Sequence, residues 1–118
     1  MRKGHDTPML IYKIFRAEEW AILQTKGETE GAPIDLVDGY IHFSTAETVA
    51  ETAAKYFAGV AGLVLLAVEA DGLELLKWEP ARAGVLFPHL HRKLKMNDVL
   101  WSKPLPLQDG FHQFPDLA

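Results

Sequence analysis

The apolar run from Phe57 to Val68 places the tightest limit on what this chain can become. It is interrupted by Gly59 and Gly62 and falls far short of the ~20 residues a membrane helix needs, so Leu63 to Glu69 reads as a buried strand preceded by a turn. A buried strand requires a core around it, and 118 residues that are 48% hydrophobic supply one such core. Residues 9–118 are therefore read as a single globular domain behind a flexible segment, residues 1–8. The chain has no Cys, which removes disulfide frameworks, thiolate zinc sites, iron–sulfur clusters and a cysteine nucleophile together. With 12 Lys+Arg against 16 Asp+Glu the net charge is -4, so no global field recruits nucleic acid or an anionic membrane. Met1-Arg2-Lys3 is followed by Gly4-His5-Asp6-Thr7-Pro8 where a signal peptide would place its apolar stretch, and a cytoplasmic protein is expected.

Around that strand the pattern alternates between strands and helices. Leu10 to Phe15 is rich in β-branched and aromatic residues and reads as a first strand. Ala17 to Lys26, with acids in its first turn, Lys26 in its last and Gly27 beyond, reads as a helix. Residues 28 to 38 are expected to form a long loop, and Tyr40 to Phe43 a short strand. Ser44 to Glu47 has the spacing of a capping box, which predicts a helix from about Ala46 to Ala58. Asp71-Gly72 is a hairpin signal, with Leu73 to Trp78 as the expected partner of Leu63 to Glu69. Residues 79 to 98 read as irregular, Val99 to Leu105 as a last strand whose Pro104 favours an edge, and the tail from Gln108 as linker-like. The order β-α-β-α-β-β-β argues for an α+β domain with a mainly antiparallel sheet and two main helices.

Two stretches could carry chemistry. In Asp38-Gly39-Tyr40-Ile41-His42-Phe43-Ser44-Thr45, a histidine interrupts an apolar strand, with Tyr40 and His42 on one face and Ile41 and Phe43 on the other. The expected helix start would offer free amides to an anion. His42 is then either a ligand-site residue or a core histidine with satisfied bonds, and Ser44 or Thr45 either a binding residue or an N-cap. The second stretch runs from Trp78 to Leu90, a stiff apolar loop in which Glu79, Arg82 and His89 supply charge and hydrogen bonds. Arg82 either serves a pocket or pairs with Glu79 at the surface. His89 and His91 with His42 would make a three-histidine metal site, but Arg92-Lys93 oppose a cation and no metal is expected. No phosphate-binding glycine loop or nucleophile elbow occurs.

The segments I-Y-K-I, D-G-Y-I-H-F-S-T-A-E-T-V, L-V-L-L-A-V, L-x-W-E-P-x-R-x-G-x-L-F-P-H-L and W-x-K-P-L together resemble the domain-of-unknown-function 952 family of small bacterial proteins, over about Ile11 to Pro115. That family is similar in fold to the ADP-ribosyltransferase superfamily, which implies a split antiparallel sheet clamping nicotinamide adenine dinucleotide (NAD). By motif, Ser44-Thr45 match the superfamily's bracing segment, with His42 beside it. The first-strand position falls near Tyr12 or Lys13, and the late acid is missing from Val99 to Leu105, leaving Glu79 as a substitute.

The resulting expectation is a pocket lined by Tyr12, His42, Ser44, Thr45, Trp78, Glu79, Arg82, Phe87 and His89 that binds a phosphate-bearing small molecule such as a nicotinamide dinucleotide. Arg82 would clamp phosphate, Trp78 or Phe87 would stack on a ring, and in a reaction His42, His89 and Glu79 would be the catalytic groups, with an imidazole as acid or base. The alternative is a non-enzymatic interaction or ligand-binding module whose motif residues are structural.

Overall fold

The computed structural model describes residues 8–117. The expected flexible segment, residues 1–8, lies outside the described residues except for Pro8. Ten strands and three α-helices follow one another as β1 (Leu10–Phe15), α1 (Ala17–Lys26), β2 (Glu28–Thr29), α2 (Pro33–Asp38), β3 (Ile41–His42), α3 (Val49–Tyr56), β4 (Leu63–Glu69), β5 (Leu76–Pro80), β6 (Leu86–Leu90), β7 (Leu94–Lys95), β8 (Val99–Leu105), β9 (Leu107–Gln108) and β10 (Phe111–His112). The expected α+β class with antiparallel pairing is what these elements form. No helix among the described residues is long and apolar enough to cross a membrane.

Two three-stranded antiparallel sheets carry the fold, in the orders β1-β4-β8 and β3-β6-β5. Their backbones pair at one place among the described residues: the Tyr12 N–H donates to the Ser44 carbonyl and the Ser44 N–H to the Tyr12 carbonyl, both at 2.8 Å. β4 is central and loses its surface on both faces. Leu66 and Val68 join Ile11, Phe15, Leu23, Ile41, Phe43 and Leu90 in a core between the sheets, while Leu65 and Ala67 pack with Tyr12, Ile14, Val49, Ala53 and Leu105 beneath α3. A strand buried on both faces has no polar position to spare, which explains its unbroken apolar sequence.

That placement corrects the expected hairpin. Both edges of β4 are taken by β1 and β8, so the chain turns at Asp71-Gly72, passes through Leu75 in a left-handed conformation (φ 64°), and enters the other sheet as β5, paired with β6. Three further expectations give way. Residues 79 to 98 are not irregular, because β6 runs through Leu86–Leu90 as the centre of the second sheet. Residues 28 to 38 contain β2, paired with β7, and the helix α2. The tail past Gln108 closes a small β9–β10 hairpin, and Phe114 and Leu117 pack on the core beneath α3. β8 does lie at a sheet edge, as Pro104 requires.

Because Leu66 is fully buried on the central strand, Leu66→Ala should cost about 2–5 kcal/mol. Leu100→Ala, on the exposed side of β8, should stay within about 0.5 kcal/mol. Urea unfolding of the two variants measures both, and equal losses would overturn the two-faced burial of β4.

Candidate functional site

The second sheet packs one face on the core and turns the other toward α2, β1 and the turn bearing Arg82, where His89 is buried and His42 and His91 are half-buried. Antiparallel pairing sets Ile41 opposite Leu90 and His42 opposite His89. Ile41, Phe43 and Leu90 turn into the core, as alternation demands. On the other face the Tyr40 ring stacks on His89 at 4.2 Å between centroids, with His42 at 4.7 Å and His91 at 5.1 Å. The His42 and His89 rings meet edge-on at 5.3 Å. This face forms a wall of a cleft of about 880 Å³, closed by Tyr12, Lys13 and Ile14 of β1, the first turn of α1, α2, the end of α3 and the turn bearing Arg82.

His42 is fixed by a short helix that the sequence reading passed over. Pro33 opens α2 at a position that needs no N–H, Asp35 accepts the Ala32 N–H at 2.7 Å, and Gly39 ends the helix in a left-handed conformation (φ 84°). The Asp35 carboxylate, whose side chain is 0% exposed, also accepts from Lys13 Nζ at 2.8 Å and from His42 Nδ1 at 2.6 Å. Burial pushes this carboxyl up, but the bonds from His42 and the ammonium of Lys13 outweigh it and hold it below the usual carboxylate range. For Lys13 burial wins over Asp35, and its ammonium is held below the usual lysine value. The other ring nitrogen of His42 faces Asp38 Oδ2 at 2.9 Å.

His89 is held from β5. Its Nδ1 lies 2.7 Å from Glu79 Oε1, the same oxygen that His91 Nε2 approaches at 2.9 Å. Hydrogen bonds from His91 and His89 draw the Glu79 carboxyl below its ordinary value. Glu79 is therefore a support behind the histidines and does not line the cleft. Nor does it pair with Arg82, whose nearest carboxylate is Glu51 at 3.6 Å. Trp78 stays out of the cleft as well, 38% exposed on β5.

The expected helix start at Ser44-Thr45 is not built. Residues 46 to 48 form a turn, α3 begins at Val49, and the amides of Ser44 and Thr45 are spent on the Tyr12 carbonyl and on Thr48 Oγ1 at 2.9 Å. Those two amides are not free for an oxyanion, and Thr45 lies outside the cleft. Ser44 does line it, with its Oγ 2.9 Å from Thr52 Oγ1 and no imidazole as partner. Thr52 in turn accepts from Arg82 Nη2 at 3.1 Å.

Arg82 is presented by a tight turn in which Ala83 adopts a left-handed conformation (φ 54°). Its guanidinium lies over the Phe87 ring at 4.7 Å and near the Tyr56 ring at 5.6 Å. Among the described residues, the buried side-chain polar atoms without a partner are Arg82 Nε and the Tyr12 hydroxyl, and both residues line the cleft. The cleft thus gathers Tyr12, His42, Ser44, Arg82, Phe87 and His89 from the sequence reading, leaves out Thr45, Trp78 and Glu79, and adds Lys13, Asp38, Tyr40, Thr52 and Tyr56. The Pro33, Asp35 and Gly39 spacing was the available signal for α2. Nothing local in the sequence pairs Lys13 with Asp35. His42, His89 and His91 gather around Tyr40, but no group of three or more His, Asp or Glu among the described residues is arranged to hold a metal ion.

Two outcomes test this network. Gly31 sits at φ 104°, and a Cβ there would collide with the Asp35 carboxylate. Gly31→Ala should lose more than about 1 kcal/mol in urea unfolding, and an unchanged midpoint would show that Asp35 is free to move. Because Asp35 ionises more readily folded than unfolded, its contribution is complete above the ordinary carboxylate range and is lost as pH falls through the folded value. Urea midpoints between about pH 6 and about pH 2 should fall less steeply for Asp35→Asn than for the natural chain.

Comparison with known proteins agrees with this architecture. The X-ray structure of protein CC0527 from Caulobacter crescentus is similar at 51% identity, covering 88% of this chain and 93% of that one, with a TM-score of 0.84. Its solution NMR structure matches at 49% identity and a TM-score of 0.79, covering 87% of this chain and 90% of that one. No curated protein matches. The family described as Protein of unknown function (DUF952) matches residues 14–102, a span that includes β3, β6 and the histidine wall, and the chain belongs to that family.

Proposed function

We propose that the chain binds a phosphate-bearing small molecule with an aromatic ring in the cleft between Tyr12 and Arg82. The observation that carries this reading is the pair of unpartnered buried donors, the Tyr12 hydroxyl and Arg82 Nε. Buried polar groups are nearly always bonded, and an acceptor on a bound molecule would complete both once the side chains that cover them give way. The Arg82 fork matches a phosphate, and Phe87 and Tyr56 offer faces to a ring. The resemblance of the sequence motifs implies an ADP-ribosyltransferase-like cleft, and the split between the sheets beside this one is in keeping with it, so a nicotinamide dinucleotide such as NAD is the first candidate. Glu79, the substitute acid for a transfer step, is bonded to two imidazoles away from the cleft, and the proposal stops at binding.

A second reading, an interaction module, is favoured by one feature: Ile34, Leu36 and Val37 of α2 are all exposed. Calorimetry with NAD, ADP-ribose and nicotinamide separates the two. Saturable binding of a phosphate-bearing ligand is expected, weakened at least about tenfold, or about 1.4 kcal/mol, by Arg82→Ala. Absence of binding by all three would overturn the first reading and leave α2 as the surface to pursue.

A further inference from the structure

The two imidazoles on the cleft wall are held in different ways. His42 meets a carboxylate oxygen at each ring nitrogen, Asp35 at 2.6 Å and Asp38 at 2.9 Å. A carboxylate only accepts, so both bonds are donated by the ring only in its imidazolium form, and that form is an acid. Asp35 is buried and fixed, whereas the Asp38 side chain is 36% exposed at the end of α2 and can be displaced by a substrate oxygen. His89 meets one carboxylate, at Nδ1. With Nδ1–H donated to Glu79, the neutral ring keeps a lone pair on Nε2, and that form is a base. The rings lie 5.3 Å apart on neighbouring strands, both line the cleft, and Arg82 reaches the same cleft over Phe87, two residues before His89 on one face of β6.

We propose that His42 and His89 form a general acid–base pair that hydrolyses a phosphodiester held in the cleft. The proposal rests on the binding reading above and adds a reaction to it. Acyl transfer through a side-chain nucleophile is not what the site offers: Ser44 Oγ is bonded to Thr52, Lys13 Nζ to Asp35 and the His42 carbonyl, and the chain has no cysteine. Attack by water needs no such nucleophile. His89 Nε2 takes a proton from water as its oxygen bonds to phosphorus, the phosphorus–oxygen bond to the leaving group breaks, and His42 gives that leaving oxygen a proton. The products are a phosphomonoester and an alcohol, and proton exchange with solvent restores both rings. Arg82 and the imidazolium supply positive charge to the phosphoryl oxygens.

Bis(4-nitrophenyl) phosphate reports the reaction as released nitrophenolate. The full chain should release it well above buffer, and His42→Gln and His89→Gln, prepared identically and shown folded by their urea midpoints, should each lose about 100-fold or more. Release that survives both substitutions overturns the acid–base pair. Absence of release, in a protein that calorimetry shows to bind NAD or ADP-ribose, overturns the reaction and leaves the binding reading standing. Absence of both release and binding overturns the two together.

Discussion

Everything near the cleft hangs on one carboxylate. Asp35 presents about four lone-pair sites, and the structure fills them with the Ala32 amide, Lys13 Nζ, the His42 amide and His42 Nδ1. Those bonds join the start of α2, the middle of β1 and His42 of β3. Lys13 adds a bond to the His42 carbonyl at 2.8 Å, so the first sheet also grips the strand that carries the histidine. Buried ion pairs are a weak source of net stability, but losing one partner leaves a charge without water or counter-charge, at about 3–5 kcal/mol. The network therefore acts mainly to fix a geometry. Gly31 is part of it, because only a residue without Cβ lets the chain pass so close to the carboxylate.

Why the histidines stand on the second sheet follows from burial. In the first sheet β1 and β4 are covered on both faces, and a polar side chain there must be satisfied internally, as Lys13 is. The second sheet turns Ile41, Phe43 and Leu90 inward, and its other face is covered only in part, by Tyr40 over His89 and by Arg82 over Phe87. That face holds a row of ionisable groups, with His42 and His91 half-buried at the rim and His89 buried between them. Among the described residues the two sheets share one backbone pairing, Tyr12 with Ser44, and diverge on either side of it. The space opened beside that pair is the cleft.

This division explains what could be read in advance. Alternation of Tyr40 and His42 against Ile41 and Phe43 is a local signal, and it gave the face of each residue correctly. The continuous apolarity of β4 announced a buried strand, but not which strands would flank it, since strand partners are chosen by the whole fold. Asp71-Gly72 marked a real turn and suggested the wrong neighbour for that reason. Ser44 to Glu47 had the letters of a capping box, yet the Ser44 amide was already committed to Tyr12, a bond between residues 32 positions apart that no local pattern records. α2 is six residues long, too short for a helical apolar period to show, and only its terminal Pro33 and Gly39 mark it.

The charge of the cleft also separates local from global reasoning. A chain of net charge -4 does not steer anions toward itself over long distances. Within the cleft, Lys13 is neutralised by Asp35 at 2.8 Å, but Arg16 lies 3.5 Å from Glu19 and Arg82 3.6 Å from Glu51. Charge-assisted bonds are shorter than these, at about 2.7–2.9 Å. Both guanidiniums keep most of their donors uncommitted while resting on aromatic rings, Arg16 on Phe57 at 4.9 Å and Arg82 on Phe87 at 4.7 Å. The rings hold each fork without consuming its hydrogen bonds. Recognition of an anion here would thus come from geometry at short range, and would depend on salt far less than binding driven by a charged surface.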